Sequence, residues 1–255
     1  MKVMSLNVWG GRVFEPLKKF LVDYSKKVDV FCFQEMFNST DKIRESHRIR
    51  THLFDELSDL LPDFHGYFAP ALKGFDIEGP VDFDIEFGLA IFVKKSVKVT
   101  DQGDIFVYGE RFQGNVIVDD YIAIPRNLEY VKFELGGEKV TIATLHGIWA
   151  PTKSDTESRI EQSKITKKFL DSCEGKKILC GDFNLSPNTE SVAILEKSLK
   201  NLVKEYNIPT TRSKLYTGKE KFADYMMISP EVGVKDFKVL QEPISDHLPL
   251  LLEFS

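Results

Sequence analysis

The chain has 255 residues, enough for one large hydrophobic core or two small ones. Hydrophobic residues make up 42% and charged residues 29%, and the chain contains 20 Phe, which excludes extended disorder and predicts a well-filled interior. The formal net charge of -5 excludes a general attraction for nucleic acids or anionic membranes, so a polyanionic ligand would need a local basic patch or a metal ion.

The cysteines and the hydropathy pattern bear on the cellular compartment in which we expect the protein. Cys32, Cys173 and Cys180 have the spacing of neither a metal site nor a redox motif, and we expect them to be buried, reduced thiols. No apolar stretch is long enough for a signal peptide or a membrane span. We therefore expect a cytoplasmic protein without a membrane anchor. The sequence indicates no protein partner, and we expect a monomer.

The N-terminal part reads as strand, helix and strand. The apolar run 3–9 predicts a buried strand that carries Asn7 near its end. Residues 14–27 place apolar side chains at helical spacing with lysines on the other face, which predicts an amphipathic helix. Residues 29–33 predict a second buried strand, which ends in Gln34-Glu35. This order suggests a β-α-β unit, although the sequence leaves the direction of strand pairing open.

Two charged segments follow. Segment 42–52 is basic and predicts either a solvated helix face or a phosphate-facing patch beside Glu35. In segment 75–87, acidic residues alternate with apolar ones around Gly79-Pro80. If this acidic segment borders the site, it would repel a long nucleic-acid backbone.

The rest of the chain alternates strands and helices without a linker. The runs 126–135 and 139–145 flank Gly136-Gly137 and predict a β-hairpin whose second strand ends at His146. Helices are predicted at 154–173, with Ser154 as N-cap, and at 189–199. Further strands are predicted at 88–93, 97–108, 223–228, 234–240 and 248–254. No composition shift divides the chain, so we predict a single domain over residues 1–255.

Polar side chains follow the apolar strands. Asp182 and Asn184 come directly after one such run, and residues two apart on a strand point to the same side. They would then face one spot, although Asp and Asn also begin ordinary turns. Carboxylates with Asn and His provide the ligands of Mg²⁺ or Mn²⁺, and the lack of thiolate ligands argues against structural zinc. The polar residues at strand ends are Asn7, Glu35, His146, Asp182, Asn184, Asp224, Asp246 and His247.

Six short motifs carry a resemblance that covers nearly the whole chain. They are Ser5-Leu6-Asn7-Val8-Trp9, Gln34-Glu35, Thr144-Leu145-His146-Gly147, Gly181-Asp182-Phe183-Asn184, Ala223-Asp224-Tyr225 and Ser245-Asp246-His247. In this order and spacing the sequence resembles the endonuclease/exonuclease/phosphatase superfamily, also called DNase I-like. The resemblance implies an α/β fold, a four-layer α-β-β-α sandwich of two mostly antiparallel sheets with the site at one edge. The resemblance therefore argues against a parallel sheet in the first unit, which the β-α-β order had suggested.

The resemblance also implies a metal site. Glu35 would be the principal ligand of Mg²⁺ or Mn²⁺, with Asn7 and Asp246 beside it. In this family the ion stabilises the charge of the phosphate during hydrolysis.

The catalytic roles come from the same resemblance. Asp182 would orient or deprotonate the attacking water, and Asn184 would hold Asp182 and a phosphate oxygen. His247 would donate to a phosphate oxygen, with Asp224 fixing its tautomer and favouring its protonated form. His146 would be a second donor to the phosphate or a general acid for the leaving oxygen.

Other residues near these motifs are candidates for substrate contacts. Arg126 is either a phosphate ligand or an exposed arginine of an edge strand. Trp149 could stack on a base or a head group. In some family members an acidic residue pairs with the first catalytic histidine, so Glu86 or Asp84 would pair with His146.

The predicted activity is metal-dependent hydrolysis of a phosphoric ester. Because of the acidic segment, our first hypothesis is a phosphodiester hydrolase, a nuclease or small phosphodiesterase, acting on a short or flexible substrate, with nucleic acid among the candidates. Three alternatives stay open. They are a phosphomonoesterase acting on a soluble metabolite or phosphoinositide, a sphingomyelinase-like phospholipid diesterase, and a catalytically silent binding protein.

Overall fold

The computed structural model describes residues 1–76, 78–112 and 124–255. The strands of this part are β1 (Lys2–Asn7), β2 (Val30–Asn38), β3 (Glu45–Ser46), β4 (Ile49–Arg50), β5 (Phe64–Lys73), β6 (Phe75–Asp76), β7 (Gly79–Pro80), β8 (Glu86–Lys94), β9 (Val99–Tyr108), β10 (Arg126–Leu135), β11 (Glu138–His146), β12 (Lys176–Asp182), β13 (Lys200–Asn201), β14 (Asp224–Ile228), β15 (Val234–Val239) and β16 (Leu250–Phe254). The helices are α1 (Phe14–Ser25), α2 (Leu53–Leu60), α3 (Glu157–Ser172), α4 (Glu190–Glu196) and α5 (Leu202–Glu205), with a short 3-10 turn at Trp9–Gly11.

Two six-stranded sheets form the centre of the molecule. Their strand orders are β15-β16-β1-β2-β8-β5 and β13-β14-β12-β11-β10-β9. Each sheet contains one parallel pair, β1 with β2 and β11 with β12, and the other neighbours are antiparallel. The prediction of mostly antiparallel sheets is confirmed. The first unit is nevertheless a parallel β-α-β unit, so the expectation from the resemblance that it would not be parallel is wrong.

The sheets pack face to face with helices outside. Val3 and Cys32 from one sheet and Leu145 from the other belong to a single buried cluster. On the outer face of the first sheet, Leu17 of α1 and Leu53 of α2 pack in a second cluster. Helices α3 and α4 join the first cluster through their own apolar residues. The α-β-β-α layering is therefore confirmed. None of the described helices is long and apolar enough to cross a membrane.

The basic segment 42–52 is a hairpin, not a helix. Strands β3 and β4 pair across a two-residue turn in which His47 and Arg48 both have positive φ, at 45° and 68°. Two successive positive φ values are typical of a tight hairpin turn. A further boundary differs at α3, where the N-cap is Thr156, whose hydroxyl accepts from the Arg159 N–H at 3.3 Å, and not Ser154.

The acidic segment 75–87 includes a second small hairpin, β6 with β7, although Ile77 lies outside the described residues. The buried carboxylate of Asp76 accepts hydrogen bonds from Ser46 at 2.6 Å and from the N–H of Glu78 at 2.8 Å, and the His47 ring nitrogen lies 2.6 Å away. Arg12 donates to the His47 carbonyl and to Glu78. The two hairpins are thus joined to each other and to the turn that follows β1.

Candidate active site

Strand ends from both sheets meet at one edge of the sandwich. Asn7 is the last residue of β1, and His146 and Asp182 are the last residues of β11 and β12. Because β11 and β12 run parallel, His146 and Asp182 are register partners at the same edge. Asp224 begins the antiparallel strand β14 directly opposite Asp182. Strand direction therefore explains why residues far apart in sequence lie together.

Two glycines allow this close approach. Gly181 has φ of 131°, and a Cβ there would lie 2.1 Å from the Leu145 carbonyl oxygen. At Gly147 a Cβ would lie 2.4 Å from the carbonyl oxygen of Phe183. Neither position has room for a side chain. The Gly147 N–H also donates to the Asp182 carbonyl at 2.7 Å, which ties the segment after β11 to the end of β12.

Glu35 is aimed by an irregularity in β2. The pairing of β2 with β8 shifts register between Phe33 and Met36, and Glu35 has φ of 57°. A bulge of this kind re-aims one side chain while the strand continues, so β2 does not end at Glu35 as predicted but reaches Asn38. Trp9 and Asn184 also have positive φ. Uncommon backbone conformations of this kind cluster at functional sites.

Asn7 joins two carboxylates. Its Nδ2 donates to Glu35 Oε1 at 2.9 Å and to Asp182 Oδ2 at 3.1 Å, and its Oδ1 accepts from the Trp9 N–H at 2.9 Å. The amide nitrogen, not the oxygen, therefore faces the carboxylates. In this arrangement Asn7 positions Glu35 and Asp182, which differs from its predicted role as a metal ligand.

The carboxylates fit a divalent cation. Glu35 Oε2 is buried and has no hydrogen-bond partner among residues 1–76, 78–112 and 124–255. Burial and the nearby Asp246 raise the pKa of Glu35, and a bound cation would favour its ionised form. Ligand atoms of Glu35, His146 and Asp182 all lie within 4.8 Å of one another. Two carboxylates and one imidazole suit Mg²⁺ or Mn²⁺ better than a thiophilic metal.

His247 is held by Asp224 in the interior. Its Nδ1 lies 2.8 Å from both carboxylate oxygens of Asp224, and its Nε2 lies 3.5 Å from Asp182 Oδ2. Burial lowers the pKa of His247, but the negative charges of Asp224, Asp246 and Asp182 together outweigh it and raise the pKa to about 9. Arg212 Nη1 closely contacts Nε2 on the other side of the ring.

His146 is in a different environment. Burial and the positive charge of Arg126 lower the pKa of His146 well below its ordinary value, so the ring is neutral at pH 7. Its Nε2 lies 3.8 Å from Asp182 Oδ2, and its Nδ1 has no partner. The predicted pairing of His146 with Glu86 or Asp84 is wrong. Glu86 instead forms an ion pair with Lys73 at 2.7 Å, and Asp84 accepts a hydrogen bond from the Thr40 hydroxyl at 2.6 Å.

Asp182 is ionised despite its burial. Burial alone would raise its pKa, but the positive charges of His247, Arg212 and Lys153 hold the pKa of Asp182 well below its usual range. Its Oδ1 accepts from the backbone N–H of Asn184 at 2.8 Å. A carboxylate with so low a pKa is a weak base and a good hydrogen-bond acceptor.

Two cations of the site were not predicted from the sequence. The Lys153 ammonium donates to Asn184 Oδ1, and the Asn184 amide donates to the Gly147 carbonyl at 3.2 Å. Arg212 lies between His247 and Tyr216, with its guanidinium carbon 4.2 Å from the Tyr216 ring centroid. Lys153 lies only seven residues after His146, the last residue of β11, and this short separation could have indicated that it lies near the site. Arg212 lies in the loop-rich segment 200–222, where no pattern pointed to it.

The predicted substrate residues lie beside this cluster. Arg126 is only 5% exposed, its strand β10 is flanked by β9 and β11, and its Nε and Nη1 have no partner. The alternative of an exposed edge arginine is therefore wrong. Its guanidinium lies 5.8 Å from the Phe87 ring. Trp149, three residues after His146, is 36% exposed.

Known proteins share this fold. The sequence model of the Endonuclease/Exonuclease/phosphatase family matches residues 4–247. No curated protein matches the sequence. Among solved structures, a mannosyl-6-phosphatase from Bacteroides thetaiotaomicron is 18% identical with a TM-score of 0.71, and the alignment covers 100% of this chain and 99% of that one. The human Nocturnin catalytic domain with bound sulfate is 20% identical with a TM-score of 0.69, and the alignment covers 100% of this chain and 93% of that domain. Humanized TDP2 from D. rerio is 16% identical with a TM-score of 0.68, and the alignment covers 100% of this chain and 98% of that one.

Proposed function

The chain belongs to the endonuclease/exonuclease/phosphatase family, and from this premise we propose that it hydrolyses phosphoric esters with the help of a divalent metal ion, Mg²⁺ or Mn²⁺. One observation carries the proposal. Asn7 holds the carboxylates of Glu35 and Asp182 side by side, and one buried oxygen of Glu35 is left without a partner. A buried carboxylate oxygen without a partner is costly unless a ligand completes it.

Glu35 would hold the ion, with Asp246 beside it and Asp182 and His146 within reach. When bound, the ion offsets the negative charge that builds up on the phosphate during hydrolysis. Asn7 keeps Glu35 and Asp182 in place through its two donated hydrogen bonds. This division of roles retains Glu35 and Asp246 as proposed ligands and assigns Asn7 to positioning.

Asp182 would accept a hydrogen bond from the attacking water and orient it. Because neighbouring cations keep its pKa low, Asp182 acts by orientation more than by taking the proton before attack. Asn184 fixes Asp182 through its backbone N–H. His247, held by Asp224, would offer a positive donor to a phosphate oxygen, with Arg212 beside it.

The type of ester does not follow from the acidic segment 75–87. That segment had favoured short diesters because free carboxylates would repel a long backbone. Asp76 is instead bound to His47, Asp84 to Thr40, and Glu86 to Lys73. These carboxylates stabilise the fold, so they no longer argue for a diester over a monoester.

Assays with simple esters test the proposal. The purified protein is incubated with p-nitrophenyl phosphate or bis-p-nitrophenyl phosphate in the presence of Mg²⁺, Mn²⁺ or a chelator. We expect hydrolysis of at least one ester that stops with chelator and returns when metal is added back. Glu35→Gln should lose this activity, whereas Glu242→Gln, an exposed matched control, should keep it. Activity that is indifferent to chelator, or absent with both esters, would contradict the proposal.

A further inference from the structure

Two cations near the site are buried without a carboxylate partner. Arg126 is 5% exposed and Lys153 is 7% exposed. Across residues 1–76, 78–112 and 124–255, neither forms an ion pair with an acidic side chain. Lys176, which is similarly buried, pairs with Glu138, and Arg212 pairs with Asp246. Arg159 is also buried without an ion pair, but it donates to three backbone carbonyls. Buried charges are normally paired, so the less satisfied Arg126 and Lys153 are suited to an anionic ligand.

Both cations reach the same reacting centre. The Arg126 guanidinium lies against the Phe87 ring, and that ring packs against His146 with centroids 5.9 Å apart. The positive charges of Arg126 and Lys153 both act on His146 and on Asp182. Arg126 comes from β10, and Lys153 comes from the segment after β11. They therefore approach the His146–Asp182 pair from two different elements.

The positions of both side chains are fixed in advance. The segment that carries Lys153 is held by Arg159, which is fully buried and donates to the carbonyls of Ile148 at 3.1 Å, Thr152 at 2.8 Å and Ser154 at 2.6 Å. The Lys153 carbonyl accepts from the Ser186 N–H at 2.8 Å. Among the described residues, the ammonium donates a hydrogen bond to the neutral amide oxygen of Asn184. A preorganised cation of this kind strengthens binding of an anion because little ordering is needed on binding.

Arg126 keeps its donors free. Its Nε and Nη1 are buried and have no hydrogen-bond partner in the part of the chain that the structure describes. Burial lowers the pKa of Arg126 to about 10, so it remains a cation at neutral pH. A guanidinium is a planar cation, and each of its N–H groups can donate to a phosphate oxygen.

We propose that Arg126 and Lys153 form a clamp for the dianionic phosphate group of a phosphate monoester, so that small phosphomonoesters are the substrate class of this site. This inference rests on the proposed function. A monoester carries about two negative charges above its second pKa of about 6 and matches two unpaired cations, whereas a diester carries one. A monoester also has three unesterified oxygens for the clamp and the metal site to share.

Anion binding tests the clamp without turnover. Protein freed of metal by chelation and dialysis is titrated by calorimetry at pH 8 with inorganic phosphate, a dianion, or dimethyl phosphate, a monoanion. We expect inorganic phosphate to bind at least about tenfold more tightly. Lys153→Met and Arg126→Met should each weaken phosphate binding by about tenfold or more and change dimethyl phosphate binding less. Lys164→Met, an exposed lysine of α3, should bind like the wild-type protein.

The inference is overturned if the two anions bind equally, if wild-type protein binds no phosphate, or if the variants bind phosphate unchanged. Circular dichroism checks the fold of each variant. Lys153→Gln and Arg126→Gln provide a second pair should a Met variant not fold, and Arg126→Lys, which keeps the charge, should retain part of the binding.

Turnover separates this inference from the proposed function. With Mg²⁺, wild-type protein should show a kcat/KM for p-nitrophenyl phosphate at least about tenfold above that for bis-p-nitrophenyl phosphate, and Lys153→Met should raise KM mainly for the monoester. A preference for the diester would overturn the clamp and leave the proposed function intact. Hydrolysis of neither ester would contradict the proposed function, while phosphate binding would still decide the clamp.

Discussion

The side chains of Asn7 and Asp182 are hydrogen-bonded at 3.1 Å, although the two residues are 175 positions apart and end strands of different sheets. A second contact links the sheets nearby, where Gln34 donates to Thr144 at 2.8 Å. The reacting centre therefore depends on how the two sheets pack. A change that moves one sheet relative to the other would separate Glu35, the proposed metal ligand, from Asp182.

Replacement of Asn7 should impair catalysis more than folding. Asn7→Ala removes both donated hydrogen bonds and leaves two neighbouring carboxylates without a donor between them. Hydrogen bonds to charged groups contribute about 1.5–3 kcal/mol each, so kcat/KM should fall by roughly 10- to 100-fold. Steady-state kinetics of Asn7→Ala and of Asn188→Ala, an exposed control, measure the effect. A change of less than about twofold would refute the positioning role.

Gly181 should tolerate no side chain. In Gly181→Ala the new Cβ would lie 2.1 Å from the Leu145 carbonyl oxygen, at a φ of 131°. We expect a loss of unfolding free energy of about 3 kcal/mol or more. Gly79→Ala is a matched control, because Gly79 has φ of 139° but has nothing within 4 Å of its Cβ position. It should cost only the backbone strain, about 1 kcal/mol. Equal losses in urea denaturation would show that the contact with Leu145 is unimportant.

Arg159 should matter for stability because its guanidinium serves three carbonyls. Arg159→Met would remove the donor to the carbonyl of buried Ile148 and to the carbonyls of Thr152 and Ser154, which are exposed residues. We expect the free energy of unfolding to fall by about 3 kcal/mol. Urea denaturation of this variant is compared with Arg44→Met, an exposed arginine that should change little. A similar small effect at both positions would contradict the structural role of Arg159.

The contact between His47 and Asp76 should make stability depend on pH. Asp76 raises the pKa of His47 from 6.5, with Glu78 adding to the effect and Arg12 opposing it. Hydrogen bonds from Ser46 and His47 outweigh burial and lower the pKa of Asp76 from 3.8. The His47 contribution is thus fully present below its unfolded pKa and is lost as pH rises through its folded pKa. The Asp76 contribution is lost as pH falls through its own folded pKa.

Thermal unfolding measures this dependence. The contribution of the pair should be largest between about pH 4 and pH 6.5. We therefore expect His47→Gln to lower Tm relative to the wild-type protein at pH 5.5 and to lower it less at pH 9. His65→Gln, an exposed control, should show no such change with pH. A deficit for His47→Gln that grows from pH 5.5 to pH 9 would have the wrong sign for an ion pair.

The strand ends were predictable because polar residues that close apolar runs depend on local pattern. Asp182, His146 and Asp224 lie at such ends, and parallel or antiparallel pairing alone brings them together. The orientation of the Asn7 side-chain amide was not predictable. Its amide orientation is set by the Trp9 N–H, and the aim of Glu35 by a register shift between β2 and β8.

Loops limited the prediction further. Arg159, seven residues after Thr152, and the N–H of the more distant Ser186 fix the backbone of the segment that carries Lys153. The hairpin β3–β4 was predicted as a helix face or a basic patch because its turn, His47-Arg48, contains neither Gly nor Asn, the usual residues at positive φ. In both cases tertiary contacts determine a conformation that the local sequence does not favour.

Replacement of Asp182 by its isosteric amide tests whether Asp182 orients the attacking water. The measurement is kcat/KM at saturating Mg²⁺ for whichever p-nitrophenyl ester the wild-type protein hydrolyses faster, with Asp59→Asn as an exposed control. If Asp182 orients the attacking water, Asp182→Asn should remain folded and lose activity by about 10²- to 10⁴-fold, while the control stays at the wild-type value. Activity of Asp182→Asn within twofold of the wild-type value would contradict the account.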